Sequence, residues 1–305
     1  MGTYSFVLHE SQCSNNCVFC GSRAFGDLQN NIHREKSKIE SLIRDGNEIS
    51  AIEVSGNDPI EYPELANVAH WLRATLPDAR IRVSTHARGL RPLLPGLLGA
   101  GVSQFVIPIY GHEARIHDAV TRTAGSFAET LDALDALSEA GAKFFLTTLV
   151  TKQNVVALSE LFLFLATYCE KFSVSVPLFS PGKQPDFVVG LACLKDRLEP
   201  ALSALREESA AQVKLRNIPR CVVNGDHGAE FEISRPPRFG YEHRRHVKSA
   251  IKLTQTADGV MPDYQLMEKG DACKMCVHEE TCPGFYKSYV SGGLFSFHPV
   301  REKRN

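Results

Sequence analysis

The chain has no excess of either charge, no apolar run of membrane length and no export signal, and each absence removes a class of function. Lysine and arginine number 34 against 35 acidic residues, a net charge of −1, which is not the profile of a dedicated nucleic-acid binder. The most apolar stretch, "ALSELFLFLATY", is too short and too close to charge to span a bilayer. The opening "MGTYSFVLHE" lacks a positive n-region and a long apolar core, so it does not read as a secretory signal, and Phe6 stands where myristoylation needs Ser or Thr. Neither an internal repeat nor a low-complexity tract is evident. What the sequence does have is cysteine. Nine cysteines without an export signal point to a reducing cytoplasm, where such clusters bind metal or carry out chemistry more often than they form disulfides.

With 305 residues, 43% of them hydrophobic, the chain has room for one large domain and a small appendage. From the N-terminus to about residue 208, strand-like runs alternate with amphipathic helical stretches. Six strands are predicted, at "TYSFVLH", "EISAIEVSG", "RIRVST", "SQFVIPIY", "KFFLTTLVT" and "KFSVSVPLF". Helices are predicted over 35–44, over "PELANVAHWLRATL" with Pro63 near its first position, from Ser126, and from Asn154 to near Cys169. In the helix from Ser126, Ser126 with Glu129 reads as a capping box. Phe127, Leu131, Leu134 and Leu137 make its apolar face, and Gly141 stops it. Such alternation predicts parallel strands joined by right-handed crossovers. Six units are too few to close an eight-fold barrel, so the expected fold is α/β, a partial (β/α)6 barrel. It would occupy residues 1–210, including a linking helix over 186–208 that Pro200 breaks or kinks. Beyond that, Pro, Gly and charge replace the alternation, and residues 211–305 read as a small C-terminal domain.

Cys13, Cys17 and Cys20 lie in "CSNNCVFC", directly after the first strand. A disulfide would leave one of them over, and a structural zinc site takes four ligands. Three thiolates on one loop suit a metal centre that keeps a position open. In parallel α/β folds, ligands gather beyond the carboxyl ends of the strands. The cysteine loop sits at that end, as do Ser55, Gly56, Asn57 and Asp58 after the second strand and Tyr110 after the fourth.

The spacing Cys13-x3-Cys17-x2-Cys20, with aromatic Phe19 before the last cysteine, resembles the signature of radical S-adenosylmethionine (SAM) enzymes. "SGNDPIEYPEL" resembles that family's Gly-Gly-Glu-Pro segment and the Pro-Glu-Leu that opens its next helix, with Asn57 and Asp58 in place of Gly and Glu. "VSTHARGL" falls where the family often carries Thr-Asn-Gly. "IPIYGHEARIHDAVTRTAGSFAETLDAL" resembles the stretch covering its fourth strand, His-Asp loop and following helix. The likeness covers about residues 4–180. It implies that the three thiolates hold three irons of a 4Fe–4S cluster, while the fourth iron binds the amino and carboxylate groups of S-adenosylmethionine. Reduction would then yield methionine and a 5′-deoxyadenosyl radical that abstracts hydrogen from substrate. On the same resemblance, Phe19, Ser55, Gly56, Asn57, Asp58, Thr85, Tyr110 and Thr148 line the cofactor site, with the Asp58 carboxylate accepting from the methionine ammonium. An external flavodoxin- or ferredoxin-like protein would donate the electron. No residue is singled out as the radical-quenching donor.

Cys221, Cys273-x2-Cys276 and Cys282, the last followed by Pro283-Gly284, supply four thiolates, enough to ligate a second cluster completely. The group resembles the auxiliary 4Fe–4S extension, of the SPASM or twitch kind, found behind many radical enzymes. Zinc on the same four cysteines is the alternative. A zinc ribbon joining Cys17-x2-Cys20 to Cys273-x2-Cys276 would leave Cys13, Cys221 and Cys282 unexplained. Cys169 and Cys193 fall in apolar helical patterns and are expected in the core. His117 and Asp118 either order a loop or meet substrate. The basic run from Ser234 to Lys252 either forms a solvated face or holds a carboxylate or phosphate. The expected function is a cytoplasmic radical SAM enzyme acting on a small molecule or peptide, in natural-product or peptide modification, with neither nucleic acid nor membrane as partner. Other readings are a non-catalytic iron–sulfur electron carrier or scaffold, and a cofactor-biosynthesis or RNA-modifying enzyme of the same superfamily. Twelve residues precede Cys13, from which the expectation leans to a small molecule or a peptide delivered by another protein.

Overall fold

The computed structural model describes residues 2–8, 13–20, 31–182, 184–223, 228–232, 253–256, 259–262 and 266–301. Strand β1 (Gly2–Leu8) buries Tyr4, Phe6 and Leu8, the alternate residues that one face of a strand presents. It pairs in parallel with β2 (Ile49–Gly56), from Thr3 opposite Ala51 to Leu8 opposite Gly56. Next come β3 (Arg80–Ser84), β4 (Gln104–Pro108), β5 (Phe144–Leu149) and β6 (Lys171–Ser175), each beside its predecessor in the sheet. All six predicted strands are present; β1 begins a residue earlier than predicted and the other five are trimmed by a residue or more at their ends.

The sheet does not stop at six. Strands β7 (Gln212–Arg216) and β8 (Glu230–Glu232) continue it in parallel, giving eight strands in sequence order. The expected (β/α)6 count is therefore corrected to eight strands, and pairing runs past residue 210. Among the described residues β1 and β8 have no second neighbour, so the barrel is not closed.

The crossovers are helices α1 (Asn31–Arg44), α2 (Leu65–Thr75), α3 (Leu94–Gly99), α4 (Ala114–Thr121), α5 (Ser126–Glu139), α6 (Leu158–Ala166) and α7 (Leu191–Glu208). α2 buries Leu65, Val68, Ala69 and Leu72, the i, i+3, i+4, i+7 stripe that turns one helical face to a sheet. α7 runs through Pro200 without ending there. Cys193 on α7 is exposed, against the expectation of a core residue. Cys169 is half-buried, its thiol directed at the Leu165 carbonyl at 3.4 Å. The predicted capping box at α5 does not form. Ser126 is the first helical residue, Gly125 (φ +81°) is the cap, and the Ser126 hydroxyl donates to Asp118 at 2.8 Å. Gly141 adopts φ +61° just past the helix, as a C-terminal stop requires.

By compactness the chain divides into two units. The first lies within Met1–Ile109 and Glu113–Thr147, and so holds β1 to β4 and the start of β5. The second comprises Tyr110–His112 and most of the chain from Thr148 onward. Beyond β8 it contains two small antiparallel pairs, β9 (Leu253–Thr256) with β10 (Gly259–Pro262), and β11 (Met267–Glu268) with β12 (Phe285–Tyr286), followed by α8 (Lys287–Ser291). An aromatic cluster anchors this end. Phe285 stands 5.2 Å from Tyr289 and 5.1 Å from Phe295, and the Tyr289 hydroxyl donates to the Pro177 carbonyl at 2.7 Å. Buried phenols need such a partner. The basic run over 234–252 lies outside the described residues. No helix among the described residues is long and apolar enough to cross a membrane.

Candidate metal centre

The loop from Cys13 to Cys20 is fixed by backbone contacts to the end of α4. Asn16 N–H donates to the Thr121 carbonyl and Val18 N–H to the Val120 carbonyl, both at 2.9 Å. A turn closed by Cys20 N–H on the Cys17 carbonyl at 3.0 Å folds the Cys17-x2-Cys20 segment back on itself. Ser14 N–H donates to Glu61 Oε1 at 2.7 Å. Arg88 ties the loop to α5. Its Nη1 reaches Ser14 Oγ at 2.9 Å and Asn15 Oδ1 at 3.1 Å, while Nε and Nη2 grip the Glu129 carboxylate at 3.0 and 2.8 Å. A planar guanidinium is suited to such a double fork.

Cys17 is buried, Cys13 half-buried and Cys20 exposed, and none is in a disulfide. Burial, reinforced by Asp58, Glu61 and Cys20, pushes the Cys13 thiol up to about 11. Burial and the neighbouring Cys13 and Cys20 push Cys17 up to about 12. Cys13 and Cys17 thus each feel the neighbouring sulfurs at a single site, and a bound metal cluster would offset the repulsion among thiolates held there.

The end of β2 borders this loop. Gly56 adopts φ +141°, and a side-chain carbon there would overlap the Leu8 carbonyl, so only glycine lets β2 close against the residue where β1 ends. Asn57 N–H points to that same carbonyl at 3.4 Å. Asp58 is fully buried and caps the 3₁₀ turn Pro59–Glu61, with Oδ1 3.4 Å from Ile60 N–H. The Thr85 hydroxyl donates to Oδ1, and His86 N–H donates to Oδ2 at 3.2 Å. Burial raises Asp58 to about 7, against the lowering effect of Thr85. One oxygen each of Asp58 and Glu61 and the Cys13 sulfur all lie within 4.8 Å of one another. Cys13, Cys17, Cys20, Asp58 and Thr85 thus lie near one another, with Ser55, Gly56 and Asn57 at the adjoining strand end and half-buried Phe19 in the loop itself. Tyr110 and Thr148, both buried, follow β4 and lie within β5, and belong to the second unit.

Glu61, His86 and Arg88 were not among the predicted site residues. The only trace of the last two was "VSTHARGL" at the third strand end. His86 places Nε2 at 3.9 Å from Cys17 Sγ, and burial lowers its imidazole to about 4. His117 is buried against Phe127, ring centres 5.5 Å apart, and burial lowers it likewise to about 4. Asp118 orders the start of α5. Burial would raise its carboxyl, but Phe127 N–H at 2.9 Å, the Ser126 hydroxyl at 2.8 Å and Gly125 N–H at 2.8 Å more than offset that and hold it low. The loop-ordering reading of Asp118 is the one its contacts express.

In the second unit, Cys221, Cys273, Cys276 and Cys282 line one cavity, together with His278, His298 and Phe297. Cys221 sits in the 3₁₀ turn Arg220–Val222 after β7, and the other three lie between β11 and β12. Cys276 N–H bonds the Cys273 carbonyl at 3.0 Å and Cys282 N–H bonds the His278 carbonyl at 2.8 Å. Gly284 (φ +90°) follows, so close to the Glu268 carbonyl that a side chain has no room. Burial, with the nearby Cys282 and Cys273, raises Cys221 to about 11, against a hydrogen bond from the His298 backbone N–H. Four soft ligands converge, as thiolate metal sites require.

Residues 7–165, more than half of the chain, match the Radical SAM superfamily. The chain belongs to that superfamily. It is an enzyme of the radical SAM type, and the superfamily implies a 4Fe–4S cluster and S-adenosylmethionine. Two AdoMet-dependent heme synthases are similar. That of Methanosarcina barkeri is 28% identical over 156 residues, 49% of this chain and 43% of the relative. That of Oleidesulfovibrio alaskensis is 26% identical over 161 residues, 49% of this chain and 39% of the relative. The chain thus spans about two fifths of the length of these curated relatives. Among solved structures, Streptococcus suis SuiB bound to S-adenosylmethionine matches 98% of this chain and 76% of its own, at 11% identity and a TM-score of 0.60. Native anSMEcpe with AdoMet and a Cp18Cys peptide matches 96% and 94%, at 10% identity and a TM-score of 0.57. These two share the radical SAM fold. The loop thiols, close together on one short segment and in no disulfide, fit the cluster that the superfamily implies.

Proposed function

We propose that this radical SAM enzyme holds its catalytic cluster on Cys13, Cys17 and Cys20, holds an auxiliary 4Fe–4S cluster on Cys221, Cys273, Cys276 and Cys282, and modifies a small molecule or peptide. The observation that carries the reading is the convergence of all four distal cysteines on one cavity. Fold likeness extending over 98% of the chain, well beyond the barrel strands, supports a C-terminal part of the same architecture. A fold neighbour solved with a peptide beside AdoMet supports a peptide as one substrate class.

When bound and reduced, the cluster and S-adenosylmethionine supply a carbon radical able to abstract hydrogen. The chain's own residues prepare that chemistry. Arg88 and the Val120 and Thr121 carbonyls hold the thiols in one place. Cys13 and Cys17, whose proton affinity burial raises, would give up their protons on holding iron. Asp58 and its neighbours Ser55, Gly56, Asn57 and Thr85 supply the polar rim against which the methionine end of the cofactor rests. The electron comes from an external flavodoxin- or ferredoxin-like protein, and the enzyme works in the reducing cytoplasm.

A second reading, cofactor biosynthesis, is favoured by the similarity to heme synthases. That similarity covers about half of this chain, so it bears on radical generation more than on what the distal unit admits. Anaerobic reconstitution tests both readings. Two clusters predict about eight irons per chain, and replacing Cys13, Cys17 and Cys20 with Ala removes about four and abolishes 5′-deoxyadenosine formation. Cys273→Ala with Cys276→Ala keeps about four irons and some uncoupled cofactor cleavage but loses substrate conversion. Zinc on the distal cysteines refutes the auxiliary cluster. Turnover of a tetrapyrrole in a screen that also contains peptides selects the second reading.

A further inference from the structure

Cys17 is the most enclosed of the three loop cysteines, and the side chain that meets its sulfur comes from 69 residues away. His86 Nε2 lies 3.9 Å from Cys17 Sγ, within reach of a hydrogen bond to sulfur. This ring is not loosely placed. The His86 backbone N–H donates to Asp58 Oδ2 at 3.2 Å, and its carbonyl accepts from Thr130 Oγ1 at 3.2 Å. The next residue, Ala87, adopts φ +64° with its N–H on Thr85 Oγ1 at 2.9 Å, which fixes the direction in which the chain leaves. The far ring nitrogen, Nδ1, is buried as well. Two elements therefore hold the imidazole edge against the sulfur.

We infer that His86 donates an Nε2–H···S hydrogen bond to the iron-bound sulfur of Cys17 and thereby raises the reduction potential of the radical SAM cluster. The inference rests on the proposed assignment of Cys17 as a cluster ligand. A sulfur bound to iron carries no proton and has only lone pairs to offer. An imidazole nitrogen facing it must then carry the hydrogen, because two lone pairs would repel. Reduction adds one electron to the cluster, supplied by the external donor, and part of the added charge resides on the thiolate sulfurs. An N–H dipole aimed at one of them stabilises the reduced state more than the oxidised state. Hydrogen bonds to the sulfurs are among the factors that set such potentials. His86 is thus a positioning and tuning residue rather than a catalytic one: it touches a ligand atom and takes no part in bond making.

The test is a redox titration of the anaerobically reconstituted full chain, followed through the EPR signal that responds to added S-adenosylmethionine. His86→Leu is expected to retain its iron but to show a reduced-to-oxidised ratio about tenfold lower at a given potential, about 59 mV for a one-electron couple. His86→Gln, whose amide N–H can replace the donor, is expected to recover most of that loss. A merely structural role would not move the potential in this donor-dependent way. Full iron in His86→Leu with an unchanged potential, or equal losses in the Leu and Gln variants, overturns the inference and leaves the cluster assignment standing. Failure of the wild-type chain to take up iron on Cys13, Cys17 and Cys20 overturns the assignment itself, and the inference with it. If His86→Leu does not fold, wild-type protein carrying ring-¹⁵N-histidine decides. A ¹⁵N hyperfine coupling on the reduced, S-adenosylmethionine-responsive cluster supports the hydrogen bond, and its absence refutes it.

Discussion

Asp58 stands where the superfamily resemblance predicts a carboxylate for the cofactor, yet its oxygens already serve the protein. It is fully buried and accepts from the Thr85 hydroxyl, from His86 N–H at 3.2 Å and from Ile60 N–H at 3.4 Å. Asp58→Ala leaves two good donors and one long one without an acceptor in a place that water does not reach. A buried donor left unsatisfied costs about 1–3 kcal/mol, and relief from burying the carboxyl offsets part of that. The expected net loss is about 2–3 kcal/mol in the metal-free chain, or about 5–10 °C in melting temperature at a few degrees per kcal/mol. Asp58→Asn keeps one acceptor oxygen for Thr85 but turns an amide N–H toward a second N–H, so it should fall between wild type and Ala. The assay is thermal melting by circular dichroism on chelator-treated protein, so that no cluster contributes. Cofactor affinity measured on the reconstituted variants should fall by a further ~1.5–3 kcal/mol, the usual worth of a hydrogen bond to a charged group. Melting temperatures within about a degree of wild type for both variants, alongside lost cofactor binding, would refute the cross-linking role and leave Asp58 as a ligand group alone.

Other consequences follow from single contacts. Glu35 is buried, accepts from the Tyr4 hydroxyl at 3.0 Å, and is raised by burial to about 7 from an ordinary 4.5. The fold therefore binds a proton that the unfolded chain releases. This group's contribution is full below about 4.5, declines as pH rises toward 7 and is flat above. Glu35→Gln should remove that decline and gain up to ~3 kcal/mol at pH 8; an unchanged slope of melting temperature between pH 5 and 8 would contradict it. Arg88→Ala releases the cysteine loop from α5 and should weaken iron retention about 10–100-fold against a chelator, with little rescue by Arg88→Lys, which lacks the planar fork. Gly284→Ala places a side chain against the Glu268 carbonyl at φ +90°, and should take the distal unit's iron while leaving about four irons at the first site.

The strands were legible because their apolar residues repeat at a period of two or run continuously, as in "YSFVL" and "FVIPI". β7 and β8 were not. "QVKLR" and "EFE" are short and polar at alternate positions, and they sit among Pro and Gly that read as the end of the pattern. The capping box failed for a different reason. Ser126 and Glu129 have the right spacing, but Asp118, eight residues earlier, takes the N–H groups of Gly125 and Phe127, and Glu129 turns to Arg88 instead. Local spacing cannot reveal a competitor delivered by the preceding helix. The three-cysteine loop was legible because its cysteines are neighbours in sequence. Its supports were not, because Arg88 and His86 reach it across 69 to 74 residues. The distal four cysteines were grouped in the sequence by the Cys273-x2-Cys276 spacing and the family resemblance, and the fold sets Cys221 on the same cavity as the other three.

The burial that raises the Cys13 and Cys17 thiols bears on the life of the protein before it meets iron. A thiol that keeps its proton at neutral pH is a poor nucleophile and a slow target for peroxide, alkylating agents and disulfide exchange, all of which act on the thiolate. Before iron binds, Cys13 and Cys17 are thus the chemically quiet members of the loop, while Cys20 is exposed. Loading expels protons from both positions, so maturation is driven further forward as the surrounding pH rises. Enclosure of Cys17 and partial enclosure of Cys13 therefore matter before the metal arrives as well as after it.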